Sequence, residues 1–234
     1  MTAIFKREIS AYFHSALGFV FCAALYFFTG YYFLTYNIYN ATADFSSLFT
    51  LLFPVVLFMV PILTMRLMSE DKQSKTDQVL LTSPVSPFSI VLGKYLSALC
   101  VFLLAILMTL VLAVVTEVFA RVDWPLFIGH FLGLTLLGAA LIAVCMFLSS
   151  LTESQVIAAL LGFTASLFLF IMDALTAMVS KGFLYNLFYY LSFSKRYQPF
   201  TYGILDLSNV LFFVSIAAFF LFLTTLTLEK RRWS

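Results

Sequence analysis

Residues 74–95 read SKTDQVLLTSPVSPFSIVLGKY. They stand between two long apolar runs, open on polar residues, carry Val79-Leu80-Leu81 and break at Pro84 and Pro87. A connector between two membrane helices needs only a few polar residues, so one this long, with leucines outside the apolar runs, asks for structure of its own. Ser74 and Asp77 have the spacing of a capping box, which predicts a short helix from near Lys75. It would carry Val79, Leu80 and Leu81 and end before Pro84, because the residue preceding a proline is pushed out of the helical region. Upstream, Glu70-Asp71-Lys72 leads out of the second apolar run; downstream, Pro87-Phe88-Ser89-Ile90 leads into the third, near Gly93-Lys94. The leucines have two uses on physical grounds. They fold back against the bilayer or the chain's own helix ends, or they dock into a groove on a partner. Full burial of two leucines is worth about 3–6 kcal/mol, enough for a docked interface, but it does not choose between the two.

The apolar runs around this connector set the class. Of 234 residues, 63% are hydrophobic and 10% charged, with a mean hydropathy of +1.04. A soluble domain of this size cannot hide so much apolar surface. The 29 Phe and 12 Tyr suit lipid-facing helices with aromatic belts. The composition predicts an all-α, polytopic integral membrane protein. A net charge of +2 with dispersed basic residues gives no footprint for nucleic acid. Cys22, Cys100 and Cys145 each lie inside an apolar run, as small packing residues do, and form neither a metal pattern nor a disulfide framework.

A span takes about 20 mostly apolar residues. Six are expected, at 17–36, 48–68, 94–117, 126–148, 155–177 and 207–228, in a single transmembrane domain over 1–234 whose first connector is 69–93. The first run is long and lacks a small-residue cleavage site, so it reads as a retained helix rather than a signal peptide. Six spans put both termini on one side, together with nine of the 13 Lys and Arg; Arg121, Lys181, Lys195 and Arg196 fall on the other. The positive-inside rule then places both termini in the cytoplasm.

Residues 1–16 differ from the spans. On a helical wheel Phe5, Ile9, Tyr12, Phe13 and Ala16 share one face, and Lys6, Arg7, Ser10 and His14 the other. That pattern predicts a helix lying in the interface, in preference to a plain extension of the first span. The last outer loop, 178–206, holds an apolar stretch at 183–193 that is too short to span and suits a partly re-entrant segment. Its Tyr185, Tyr189 and Tyr190 fit headgroup depth, as a passive anchor or as a gate.

The chemistry-bearing motifs are sparse. Gly93-Lys94 is followed by Tyr95, and position 88 is Phe, so a P-loop is ruled out and no ATP hydrolysis is expected of this chain. His14 and His130 have no metal-ligand spacing, and no Gly-x-Ser-x-Gly elbow occurs. An intramembrane enzyme therefore lacks a convergent polar set, and no metal or cofactor is expected within the chain. Glu117 and Asp173 lie toward the outer ends of their spans, either lining an outer vestibule or simply resting in contact with water. The span interiors are nearly free of charge, which disfavours an ion-coupled carrier of small polar solutes. Gly129-x-x-x-Gly133 and Gly138-Ala139-Ala140 would let the fourth span approach another helix closely.

The stretch from Arg66 through Ser86, continued by Val91-Leu92-Gly93-Lys94-Tyr95, resembles the first cytoplasmic loop of ABC-2 type transporter permeases. In that family an acidic pair precedes a Thr-x-Glu-x-Leu-Leu element, a Pro-Val step and a Gly-Lys at the start of the third span. Glu70, Thr76, Leu80, Leu81, Thr82, Pro84, Val85, Gly93 and Lys94 match. The gliding-motility-type branch is similar at Leu148-Ser-Ser-Leu-Thr-Glu153 and Leu228-Glu-Lys-Arg-Arg-Trp233 too. Lys75 departs from the family pattern, standing where a Gly is common.

The resemblance implies a non-catalytic permease subunit of an exporter in a prokaryotic plasma or inner membrane. Two permease subunits, the same or related, would pair, each holding one of two copies of a separate ATPase subunit that binds ATP and Mg. An auxiliary subunit with an extracytoplasmic domain would fit such a complex. The coupling helix would be Lys75–Leu81, with Glu70, Asp71, Lys75, Thr76, Asp77, Val79, Leu80, Leu81, Thr82 and Pro84 as the ATPase-coupling residues. Ser149–Ser154, with Ser150, Thr152 and Glu153, would be a smaller second contact, unless Thr152 instead caps the fifth span with Gln155. The alternative function is a membrane scaffold of an ATPase-driven machine that translocates nothing.

Overall fold

The computed structural model describes residues 2–76, 85–178 and 191–232, and their side chains except at 173–178 and 232. Every regular element among the described residues is helical. The chain begins with α1 (Thr2–His14) and breaks at Ser15, whose extended backbone leads into α2 (Ala16–Tyr32). The last turns of that span widen into a π-helix, Phe33–Ile38. Next come α3 (Ser46–Thr64) and, after a break at Met65, α4 (Arg66–Gln73). Then follow α5 (Pro87–Phe119), α6 (Trp124–Ser150) and α7 (Gln155–Met178). A short α8 (Phe193–Tyr197), a 3-10 turn (Gln198–Tyr202) and α9 (Leu207–Arg232) complete the chain.

Six of these segments are long and apolar enough to cross a membrane: 16–38, 46–73, 87–119, 124–150, 155–172 and 207–231. The all-α integral membrane class read from composition holds. Local chemistry sets the helix starts. Ser86 takes an extended conformation and accepts the Ser89 amide at 3.4 Å, while Pro87 fills the first helical position, where no N–H is required. α5 thus takes in 87–93, residues counted with the connector in the sequence. Asp123 caps α6 through the Leu126 amide at 3.3 Å.

The central helices are α3 and α6, more than half buried within the protein, whereas α2, α7 and α9 leave most of their surface uncovered. The glycines of α6 serve packing inside the chain. A Cβ at Gly138 would lie 2.2 Å from the Phe102 ring of α5, and one at Gly133 2.6 Å from Phe200 of the 3-10 turn. The close approach expected of the fourth span is thus made to α5 and to the segment before α9. The expected re-entrant stretch 183–193 falls mostly outside the described residues, as does the coupling segment from Asp77 to Pro84.

Candidate functional site

At the end of the bundle where α1 packs, the two strands of the 74–95 connector leave α4 and enter α5. Both are held by one charge cluster. Lys94, in the third turn of α5, is only 2% exposed. Its ammonium donates to the Leu67 carbonyl at 2.6 Å and pairs with Asp71 at 2.7 Å and Glu8 at 3.1 Å. An ammonium has three donors and no acceptor; here each donor has an acceptor, from α4 and from α1. Arg7 closes the ring, 2.7 Å from Glu8 and 3.4 Å from Asp71. Two cations face two carboxylates, so burial is tolerated because the pairing is complete.

Asp71 also accepts the Thr76 hydroxyl at 2.9 Å, which ties the first residues of the connector to the cluster. Ser74 plays a different part from the one expected. It is the C-terminal cap of α4, its hydroxyl donating to the Glu70 carbonyl at 2.8 Å. Lys75 follows with φ of 58°, the left-handed conformation that ends a helix. A right-handed helix cannot include it, and Thr76 is the first residue to resume helical geometry. The glycine common at this position in the resembling family is the residue that such a φ favours.

α1 is held by more than the cluster. Its buried residues are Ile4, Glu8 and Tyr12, one stripe of the helix. The Tyr12 hydroxyl donates to the Leu63 carbonyl at 2.8 Å, and burial pushes its pKa well above the usual phenol range. Arg66 reaches Ser15 at 2.7 Å, Glu70 at 2.7 Å and the face of the Tyr12 ring at 5.4 Å. Phe5, Ile9 and Phe13, expected to face lipid, are half-buried.

The 149–154 turn joins the same end. Ser149, fully buried, donates to the Met65 carbonyl at 3.0 Å and accepts the amides of Met68 at 3.3 Å and Ser69 at 3.2 Å. α4 has no cap of its own at its N-terminus; a hydroxyl from α6 serves instead. Lys72 donates to the Ser150 carbonyl, and Glu153 pairs with Arg231 of α9 at 3.0 Å. Thr152 accepts the Ser154 amide at 3.2 Å, while Ser154 is the residue that precedes α7 and faces the Ile157 amide at 3.5 Å. The cap position is therefore Ser154 rather than Thr152.

Of the expected coupling residues, Asp71 and Thr76 join the cluster, Glu70 pairs with Arg66 beside it, and Lys75 contributes the turn of its backbone. Asp77, Val79, Leu80, Leu81, Thr82 and Pro84 lie outside the described residues. Glu117 is at the other end of α5, exposed, accepting the Val122 amide at 2.7 Å; the side chain of Asp173 is outside the described set. Sequence reasoning missed Glu8, Arg7 and Lys94 as one unit. A lysine followed by some twenty apolar residues was the available signal, since a charge there demands a partner.

Among the described residues no cluster of His, Cys, Asp or Glu is able to hold a metal. The site is a charge cluster that ties α1, α4 and α5 together at one end of a multi-pass membrane protein. The model of the ABC-2 family transporter proteins matches residues 4–231, so the chain belongs to that family and is a permease subunit of an ABC transporter. No curated protein matches it.

Proposed function

We propose that the chain is the membrane subunit of an ABC-2 type exporter and that the 74–95 connector is where it receives work from a separate ATPase subunit. In this reading the α1 end faces the cytoplasm of a prokaryotic cell. Two copies of the ATPase serve a pair of permeases, the same or related, with or without an extracytoplasmic auxiliary subunit, and ATP and Mg belong to the ATPase. Similarity at 148–153 and 228–233 favours the gliding-motility-type branch. Val79, Leu80 and Leu81 enter the partner's cleft, and Ser150, Thr152 and Glu153 make the smaller contact.

The observation that carries the proposal is the clamping of the connector's two ends. Asp71 and Thr76 on the way out, and Lys94 on the way back, share one buried cluster with α1. A push on the connector therefore moves α1, α4 and α5 together instead of flexing a loop. The test is co-purification of an ATPase encoded beside the permease. Leu80→Glu with Leu81→Glu is expected to abolish it while membrane insertion persists; undiminished ATPase capture by the double variant would remove the docking claim.

A further inference from the structure

At the opposite end of α3, about 28 Å along its axis, the helices leave an open cavity of about 550 Å3. That size falls in the usual range of small-molecule sites, about 300–1,000 Å3. Three segments wall it: the π-helical end of the first span at Tyr36, the first turns of α3 from Ser46 to Phe53, and residues 194–202. Its polar lining is unbalanced. Lys195 is the only charged residue among the lining residues, and no carboxylate lines the cavity among the described residues.

Apart from Tyr202, whose hydroxyl accepts the Gln198 side-chain amide at 3.3 Å, the hydroxyls divide into two sets. Those of Ser46, Thr50, Tyr197 and Thr201 donate within the protein, to Asp44, the Ser46 carbonyl, the Phe49 carbonyl and the Gln198 carbonyl. The nearest acid, Asp44, is itself taken up by the amide and hydroxyl of Ser46 at 2.9 and 2.6 Å. Lys195, Ser47 and Tyr36 are exposed and Ser194 half-buried; the Lys195 ammonium and the three hydroxyls have no protein partner and no competing group among the described residues. A neutral sugar presents donors and acceptors in similar number. A wall that holds one cation and no carboxylate is matched instead by a group that carries negative charge, to which the three hydroxyls are able to donate. Beside these donors, Phe53 and Tyr197 stack with centroids 5.2 Å apart and give an apolar wall.

We propose that this cavity binds the phosphate or carboxylate headgroup of an amphipathic anion, with Lys195 supplying the charge and Ser47, Ser194 and Tyr36 the neutral hydrogen bonds. The remainder of the ligand lies along Phe53, Leu51 and Tyr202. The site is distinct from the connector cluster and does not depend on docking of an ATPase.

The test uses the purified full-length chain in neutral detergent, with bound lipid counted by native mass spectrometry. Phosphatidylglycerol is the probe, phosphatidylcholine the zwitterionic comparison and inorganic phosphate the competitor. The wild type is expected to retain phosphatidylglycerol over phosphatidylcholine, and Lys195→Glu to lower that retention about tenfold. Lys195→Gln and Ser47→Ala should give smaller losses, and Lys6→Glu on α1 no change. Melting temperature separates a misfolded variant from a folded one that has lost the site. Competition by inorganic phosphate assigns the site to any phosphoryl anion, soluble ones included; its absence assigns it to a lipid headgroup. Equal retention of both lipids, or full retention by folded Lys195→Glu, overturns the proposal.

Discussion

Lys94 of α5, itself almost wholly buried, lies 2.7 Å from the partly buried Asp71 of α4. The pair joins the two ends of the connector across the surface from which it emerges. Because Glu8 and the Leu67 carbonyl take the other two donors, no part of this ammonium is left unsatisfied. Its neighbours depend on it in turn. Lys94→Met leaves two carboxylates facing Arg7 alone, and loss of one partner from a buried charge group costs about 3–5 kcal/mol. The expected result is a lower denaturation midpoint in detergent and faster proteolysis at α1. Glu8→Gln should cost less, since Asp71 remains. In the double variant the costs should fall well short of their sum; strict additivity would show that Glu8 and Lys94 do not interact.

Lys75 offers a gain in place of a loss. Its φ of 58° is strained for a side chain with a Cβ and free for glycine. Lys75→Gly is expected to be neutral or stabilising by up to about 1 kcal/mol, the relief of strain being partly offset by chain entropy. Lys75→Val should destabilise, because β-branched residues tolerate this region least. Amide hydrogen exchange over 70–76 reports the local effect, and equal protection in all three proteins would contradict the conformation.

Gly138 tests the packing of α6 against α5. Its absent Cβ makes room for the Phe102 ring. Gly138→Ala forces the ring or the helices to move, at about 1–3 kcal/mol. Phe102→Leu in the same chain should recover much of that loss. A thermal shift series with the two single variants and the double settles the matter, and no recovery in the double would place the strain elsewhere.

The class and the span count were legible because they rest on composition and on long apolar runs, which no tertiary contact can disguise. Leu207–Arg232 announces a span on hydropathy alone. The junction was legible only in halves. Glu70 and Asp71 stood out as an acidic pair before the connector, but Glu8 looked like one polar residue on an amphipathic helix, and Lys94 like the edge of a span. Nothing in the spacing brings residues 8, 71 and 94 together; only the packing of α1 across α5 does so. Ser74 misled for a similar reason. A serine three residues before an acid suits the start of a helix, yet the same hydroxyl donates equally well to a carbonyl at the end of the previous one.

Ser149 gives the last test, and one that couples the two turns at this end of the protein. In the first turn of α4 after the break at Met65, the Ser149 hydroxyl accepts the amides of Met68, which has no intrahelical acceptor, and Ser69, while donating to the Met65 carbonyl. Ser149→Ala strands these groups in a buried setting, so a loss of about 1–3 kcal/mol is expected. Ser149→Thr keeps the hydroxyl and should cost less. By contrast the Glu153–Arg231 pair is largely open to water, and Glu153→Gln should change stability by less than about 1 kcal/mol. If α4 is the lever that carries motion from the connector, Ser149→Ala should also loosen it. The amides of 68–73 would then exchange faster while those of α6 keep their protection. Uniform loss of protection across both helices would instead mean that the hydroxyl stabilises the bundle as a whole and has no special hold on the lever.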